Sequence, residues 1–137
     1  MLKQLNGYDV GALMYCPGYS HRTIADTLMR EQYPKPFSLA FCLEDTVSEA
    51  VVEDAEKELF RILEQISSNL AVKSFYLPLI FIRIRSPQQL KSLAALYHPF
   101  SHVLRGFILP KFFIENCADY IRTIQELSVS YPDYYYM

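Results

Sequence analysis

A parallel α/β fold is predicted by three features of the 137-residue sequence. There are four short apolar runs, at 12–16, 37–43, 79–85 and 106–109; a helix-patterned segment follows each; and the connections are short enough for right-handed βαβ units. The runs at 37–43 and 79–85 are continuous rather than alternating, as in strands covered on both faces. Two architectures satisfy this pattern: a doubly wound open sheet, and about half of a (β/α)8 barrel, which normally takes about 250 residues. The turn after the first run lacks the Gly-x-Gly-x-x-Gly that lets a backbone approach a pyrophosphate, which weighs against a dinucleotide-binding sheet.

The elements follow in order. Ala12-Leu13-Met14-Tyr15-Cys16 reads as a strand closed by the Pro17-Gly18 turn. Residues 23–30 read as a helix with Ile24, Ala25 and Leu28 on one side, and Pro34 and Pro36 force the chain to reverse after it. The second strand, 37–43, stops on Glu44 and Asp45. Thr46 and Glu49 then match a capping box, and the helix they start runs to about residue 67. Val52, Ala55, Leu59, Ile62 and Ile66 form its apolar stripe, and Glu53 and Lys57 pair on its exposed side.

The third strand, 79–85, carries Arg83 and Arg85 near its end. Ser86, Pro87 and Gln89 are a cap, a first-turn proline and a third-position glutamine, so a helix follows through Leu90, Leu93, Ala94 and Tyr97 and stops before Pro99. The fourth strand, 106–109, ends at Pro110-Lys111. A last helix at about 117–128 has the stripe Ile121, Ile124 and Leu127, and Tyr134-Tyr135-Tyr136-Met137 opens a fifth strand. No linker, repeat or low-complexity segment divides residues 1–137, so they form one domain.

Composition excludes several function classes. A net charge of -2 offers no basic surface for nucleic acid or anionic lipid, so neither nucleic acid nor membrane is expected as a partner. The N-terminal residues lack a signal-peptide pattern, and the longest apolar run, 75–82, is too short to span a bilayer and contains Pro78. Cys16, Cys42 and Cys117 are odd in number without metal-type spacing, which fits reduced thiols in the cytoplasm, with Cys16 and Cys42 as buried small apolar residues. His21, His98 and His102 have no ligand spacing either.

The polar residues that could carry chemistry all follow strand ends: Tyr19, Ser20, His21 and Arg22 after the first, Glu44 and Asp45 after the second, Arg83 and Arg85 in the third, and Lys111 after the fourth. In a parallel α/β fold these positions share the carboxyl edge of the sheet, where ligand sites form. Glu44 and Asp45 are adjacent, so only one points inward; Asp45 is open to a site role or to supporting the next helix start. Arg83 and Arg85 share a strand face, and a guanidinium fork suits a carboxylate or phosphate. The alternative is an ion pair with the acids of the second strand.

Taken together, Met14-Tyr15-Cys16-Pro17-Gly18, Cys42-Leu43-Glu44-Asp45-Thr46-Val47, Phe81-Ile82-Arg83-Ile84-Arg85 and Ile108-Leu109-Pro110-Lys111 resemble the strand-end motifs of the HpcH/HpaI aldolase and citrate lyase β-subunit family. Within it the chain is similar to the divergent bacterial branch of C–C bond lyases of the TIM-barrel fold. The resemblance implies a half barrel of strands one to four plus the start of strand five. It implies a Mg2+-dependent lyase or aldolase working through an enolate on a small-molecule carboxylate, such as a 2-oxo acid, or on an acyl-CoA.

By this resemblance Arg83 is the catalytic, substrate-holding arginine. Glu44 and Asp45 support the metal's water network. Arg85, Pro17 and Gly18 are further candidates for substrate binding, and Lys111 is open to an acidic substrate, to pairing with a site acid or to solvent. Arg85 stands where the family usually has Asn, which suggests a more anionic substrate. The family's principal metal ligands lie on strands five and six, beyond the positions present. The chain is therefore expected to be inactive alone, possessing no Mg2+ site of its own, and to self-associate or take a complementing chain. A non-catalytic anion-binding or interaction module derived from the same fold is the alternative.

Overall fold

The computed structural model describes residues 4–18 and 23–137. Tyr19, Ser20, His21 and Arg22 therefore lie outside the described residues. Five strands, β1 (Leu13–Pro17), β2 (Ser38–Cys42), β3 (Leu79–Arg83), β4 (Leu104–Ile108) and β5 (Tyr135–Tyr136), alternate with α1 (Ile24–Met29), α2 (Val52–Val72), α3 (Pro87–Leu96) and α4 (Ile114–Ser130). Every strand pair is parallel and the spatial order is β1-β2-β3-β4-β5. A doubly wound sheet reverses its strand order at a switch point, whereas a barrel adds each strand beside the last. The order observed is that of a TIM-barrel segment, which decides between the two architectures.

Side-chain alternation separates two apolar clusters. Leu39 and Phe41 of β2, Ile80 and Ile82 of β3 and Phe107 of β4 pack with Ile24 and Leu28 of α1, Leu59, Ile62 and Ile66 of α2, Leu90 and Leu93 of α3 and Tyr120 and Leu127 of α4. The helices thus cover one sheet face. The intervening residues Ala40, Phe81 and Ile108 join Val10 in a second cluster on the inner face, and Leu5, Leu13, Leu79, Tyr135 and Met137 pack against it. The inner face, which a half barrel would leave apolar and open, is in this region covered by the chain's own segments.

Two close backbone approaches need glycine. A Cβ on Gly18 would sit 2.7 Å from Leu43 Cδ2 and 2.8 Å from the Cys42 carbonyl oxygen, where the Gly18 N–H donates its hydrogen bond. A Cβ on Gly106 would fall 1.8 Å from the Tyr135 carbonyl oxygen, so only glycine lets β5 pair with β4. Cys16 and Cys42 are buried and free, as the sequence predicts, and burial pushes the Cys16 thiol pKa up.

Several boundaries differ from the sequence expectation. The Thr46–Glu49 capping box does not form. Thr46 Oγ1 turns back to donate to the Cys42 carbonyl at 3.3 Å, a 3-10 turn occupies Glu49–Val51, and α2 begins only at Val52. That helix also runs on to Val72. Asp45 is accordingly separated from the α2 start and does not support it. Buried α4 positions are Tyr120 and Leu127, while Ile121 is exposed. Ile124 packs against the core as expected, so the stripe runs through Tyr120, Ile124 and Leu127 at spacings of four and three, and Ile121 falls beside it. The Ser86 cap is as expected: its Oγ accepts from Gln89 N at 3.1 Å with Pro87 in the first turn, although Gln89 Oε1 reaches back to Arg85 N at 2.7 Å rather than to the cap itself.

Candidate functional site at the carboxyl edge

Alternation carries Phe81 and Arg83 to the same face of β3, and Ala40 and Cys42 to the matching face of β2, with Glu44 two residues past the strand's end. Arg83 and Cys42 are register partners, so Glu44 emerges next to the arginine. Arg83 Nη2 lies 2.7 Å from Glu44 Oε2 and 3.6 Å from Asp45 Oδ2. The Glu44 contact is an ion pair by distance only: no guanidinium N–H is aligned on Glu44 Oε2, which is buried without a hydrogen-bond donor. Arg83 Nε is likewise buried without a hydrogen-bond partner among the described residues. With 24% of the Arg83 side chain and 15% of the Glu44 side chain exposed, the pair is sheltered yet reaches the surface. Shelter of this degree weakens screening by water and salt.

Lys111 Nζ lies 3.7 Å from Asp45 Oδ1, closing a chain of alternating charge, Glu44, Arg83, Asp45, Lys111, across the ends of β2, β3 and β4. Lys111 and Asp45 are exposed. The loop after Lys111 is pinned by Asn116, whose Nδ2 donates to the Lys111 carbonyl at 3.0 Å and whose Oδ1 accepts from Phe113 N at 2.9 Å.

Arg85 is placed differently from Arg83. It lies past the last residue of β3, and its Nη1 donates to three carbonyls of the β2–α2 loop: Leu43 at 3.1 Å, Glu44 at 3.1 Å and Val47 at 2.7 Å. The guanidinium holds the loop that presents Glu44 and Asp45 instead of opening towards a ligand. The same loop is anchored by buried Leu43 and Val47 and by a turn in which Val47 N donates to the Glu44 carbonyl at 3.2 Å. Gly18 is buried against β2, as described above, and Pro17 is exposed at the end of β1.

Among the described residues no group of three His, Cys, Asp or Glu side chains could hold a metal ion. Glu44 is committed to Arg83, and Asp45 is shared between Arg83 and Lys111. These residues do not fit a Mg2+ centre, and no chemical step can be built through one here. His102 Nε2 lies 2.8 Å from Ser67 Oγ and His98 packs on the Tyr131 ring at 4.8 Å, so neither histidine joins the site.

Two features escaped the sequence reading. Phe112 and Phe113, directly after Lys111, are large exposed apolar residues at the same edge. Their signal was present as three consecutive bulky apolar residues, Phe112-Phe113-Ile114, lying between the fourth strand and the expected helix. Tyr120 of α4 is buried and its ring lies 6.0 Å from that of Phe112; burial first, and the Glu44 charge second, raise its hydroxyl pKa.

A family model described as C–C bond lyase of the TIM-barrel fold matches residues 4–137. No curated protein and no solved structure matches the chain. Among the described residues no helix is long and apolar enough to cross a membrane.

Proposed function

Because this chain belongs to the C–C bond lyases of the TIM-barrel fold, we propose that its carboxyl edge binds a 2-oxo acid or acyl-CoA type substrate for carbon–carbon bond cleavage or formation next to a carbonyl. The observation that carries this reading is the state of Arg83. Its guanidinium stands at the end of β3 with one nitrogen on Glu44 and with Nε unpartnered among the described residues. A forked cation in a sheltered position suits a carboxylate or a developing enolate oxygen, and such preorganised charge is a large contributor to stabilising an oxyanion. Lys111 adds a second cation at the rim, and Arg85 acts on the substrate only through the loop it holds.

In the family this chemistry uses Mg2+, which stabilises an enolate as a Lewis acid. Here the role of Glu44 and Asp45 is confined to orienting Arg83 and Lys111. Titration with Mg2+ and with a short acyl-CoA or 2-oxo acid, followed by calorimetry and product analysis, tests the reading. Binding that vanishes in Arg83→Met supports it, and affinity unchanged by that substitution refutes it.

A second reading, a non-catalytic anion-binding module, is favoured by the engagement of both carboxylates with basic side chains. It predicts anion binding that is indifferent to Mg2+ and yields no product. The outer edges of β1 and β5 pair with no strand among the described residues, and we propose that a second copy or a complementing chain pairs there. A sedimentation coefficient independent of concentration, with no complementing chain recovered, would count against that pairing.

A further inference from the structure

We propose that the carboxyl edge selects a carboxylate bearing a bulky apolar group, an aryl or branched alkyl 2-oxo acid, and that Phe112 and Phe113 are the residues that select it. The inference rests on the reading of Arg83 as the anion anchor and adds the substrate class. Phe112 is 51% and Phe113 55% exposed, although they follow directly on Lys111. Lys111 is tied through Asp45 to Arg83 by contacts of 3.7 Å and 3.6 Å, so the two rings stand at the rim of the charged edge. Exposed aromatic surface of this kind marks a contact site.

The segment that carries the rings is also held in place. Phe112 leans on the buried Tyr120 at 6.0 Å between ring centroids, and the Phe113 N–H is fixed by Asn116 Oδ1 at 2.9 Å. A charged edge with apolar rings at its rim is complementary to a molecule with a charged end and an apolar end. A small hydrophilic acid would leave the rings wet, whereas an aryl acid would bury ring against ring.

The test titrates the full chain with pyruvate, with phenylpyruvate and with uncharged benzyl alcohol. Phenylpyruvate is expected to bind at least ~10-fold more tightly than pyruvate, the scale set by partial burial of a phenyl group, and benzyl alcohol more weakly than phenylpyruvate. Phe113→Ser and Phe112→Leu should each shrink the phenylpyruvate-to-pyruvate ratio while leaving pyruvate affinity unchanged, and Arg83→Met should weaken both acids. Serine at the α4 cap position completes the cap that Asn116 half supplies, so loss of preference in Phe113→Ser does not reflect unfolding.

Equal affinity for the two acids, with dependence on Arg83 intact, overturns the apolar rim and leaves the anion site standing. Indifference of both acids to Arg83→Met, or no binding of either, overturns the anion reading and this inference with it. A concentration-dependent dimer dissolved by Phe113→Ser, with no preference for phenylpyruvate, overturns the proposal by making the two rings the seat of a second copy.

Discussion

Arg85 Nη1 donates to the Val47 carbonyl at 2.7 Å, and the same nitrogen serves the carbonyls of Leu43 and Glu44 at 3.1 Å each. One side chain thereby satisfies a loop that has few other backbone partners. Arg85→Met is expected to cost about 2 kcal/mol, in the range of a hydrogen bond to a charged group. Arg85→Lys should recover only part, since the shorter lysine side chain leaves its ammonium short of the Nη1 position. Urea denaturation measures both, and a midpoint for Arg85→Met equal to that of the parent chain would contradict the role.

The Arg83–Glu44 pair should respond asymmetrically to mutation. Removing either partner alone leaves a sheltered charge uncompensated and is expected to cost about 2 kcal/mol, below the range for fully buried pairs because both side chains keep some exposure. The double variant Arg83→Met with Glu44→Gln should be more stable than the sum of the single losses predicts. A double-mutant cycle that closes additively would show that the two charges do not interact.

Gly106→Ala directs a methyl group at the Tyr135 carbonyl 1.8 Å from the Cβ position, with no flexible atom to yield. β5 must leave the sheet. The hydrogen bonds from Leu109 N to the Met137 carbonyl at 2.7 Å and from Met137 N to the Phe107 carbonyl at 3.0 Å should then be lost together. Hydrogen exchange reads this as lost protection at the Leu109 and Met137 amides while the amides of β2 and β3 stay protected; retained protection at Met137 would refute it.

The Tyr136 hydroxyl is buried without a hydrogen-bond partner among the described residues. Deleting such a group removes a desolvation penalty and no bond, so Tyr136→Phe is expected to stabilise the fold by about 1 kcal/mol. A destabilised variant in thermal melts would reveal a hidden partner for that oxygen.

Alkaline pH should unfold the protein. Burial raises the pKa of Tyr97, Tyr120 and Tyr134, and pushes Tyr136 up to about 12. The unfolded chain ionises near pH 10, as a tyrosine in water does. Below that value the folded and unfolded forms hold these protons equally and stability is intact. As pH rises through about 10 the unfolded form loses protons first, so stability falls, and the Tyr136 contribution is gone by about pH 12. Ionisation would also remove the donors that bind Tyr97 to the Glu56 carbonyl at 2.7 Å and Tyr134 to the Ala94 carbonyl at 3.0 Å. Denaturation midpoints at about pH 8 and about pH 11, read beside tyrosinate absorbance, check the slope; equal midpoints would exclude it.

The order of strands and helices was legible because parallel strands covered on both faces read as continuous apolar runs, and because Ser86, Pro87 and Gln89 combine three start signals at one helix. Thr46 and Glu49 misled because a capping box is a local pattern, whereas burial of Val47 and the grip of Arg85 on the loop are tertiary. For Arg85 its spacing from Arg83 suggested a shared face, but the strand ends at Arg83, and beyond a strand end period-two alternation no longer governs direction. Glu44 beside Arg83 was foreseeable from strand-end placement alone. Phe112 and Phe113 were visible as bulky residues, but nothing local distinguishes a rim position from a core one.

The inner cluster around Phe81 draws on residues as far apart as Leu5 and Met137, while the helix-side core joins mostly successive βα neighbours. Loop closure over such a separation adds an entropic barrier that local contacts avoid. The sheet and its helices can therefore assemble unit by unit, and the inner face is sealed last, when the first and last segments meet across Phe81. Truncating Leu5 to alanine should accordingly speed unfolding and leave the folding rate nearly unchanged.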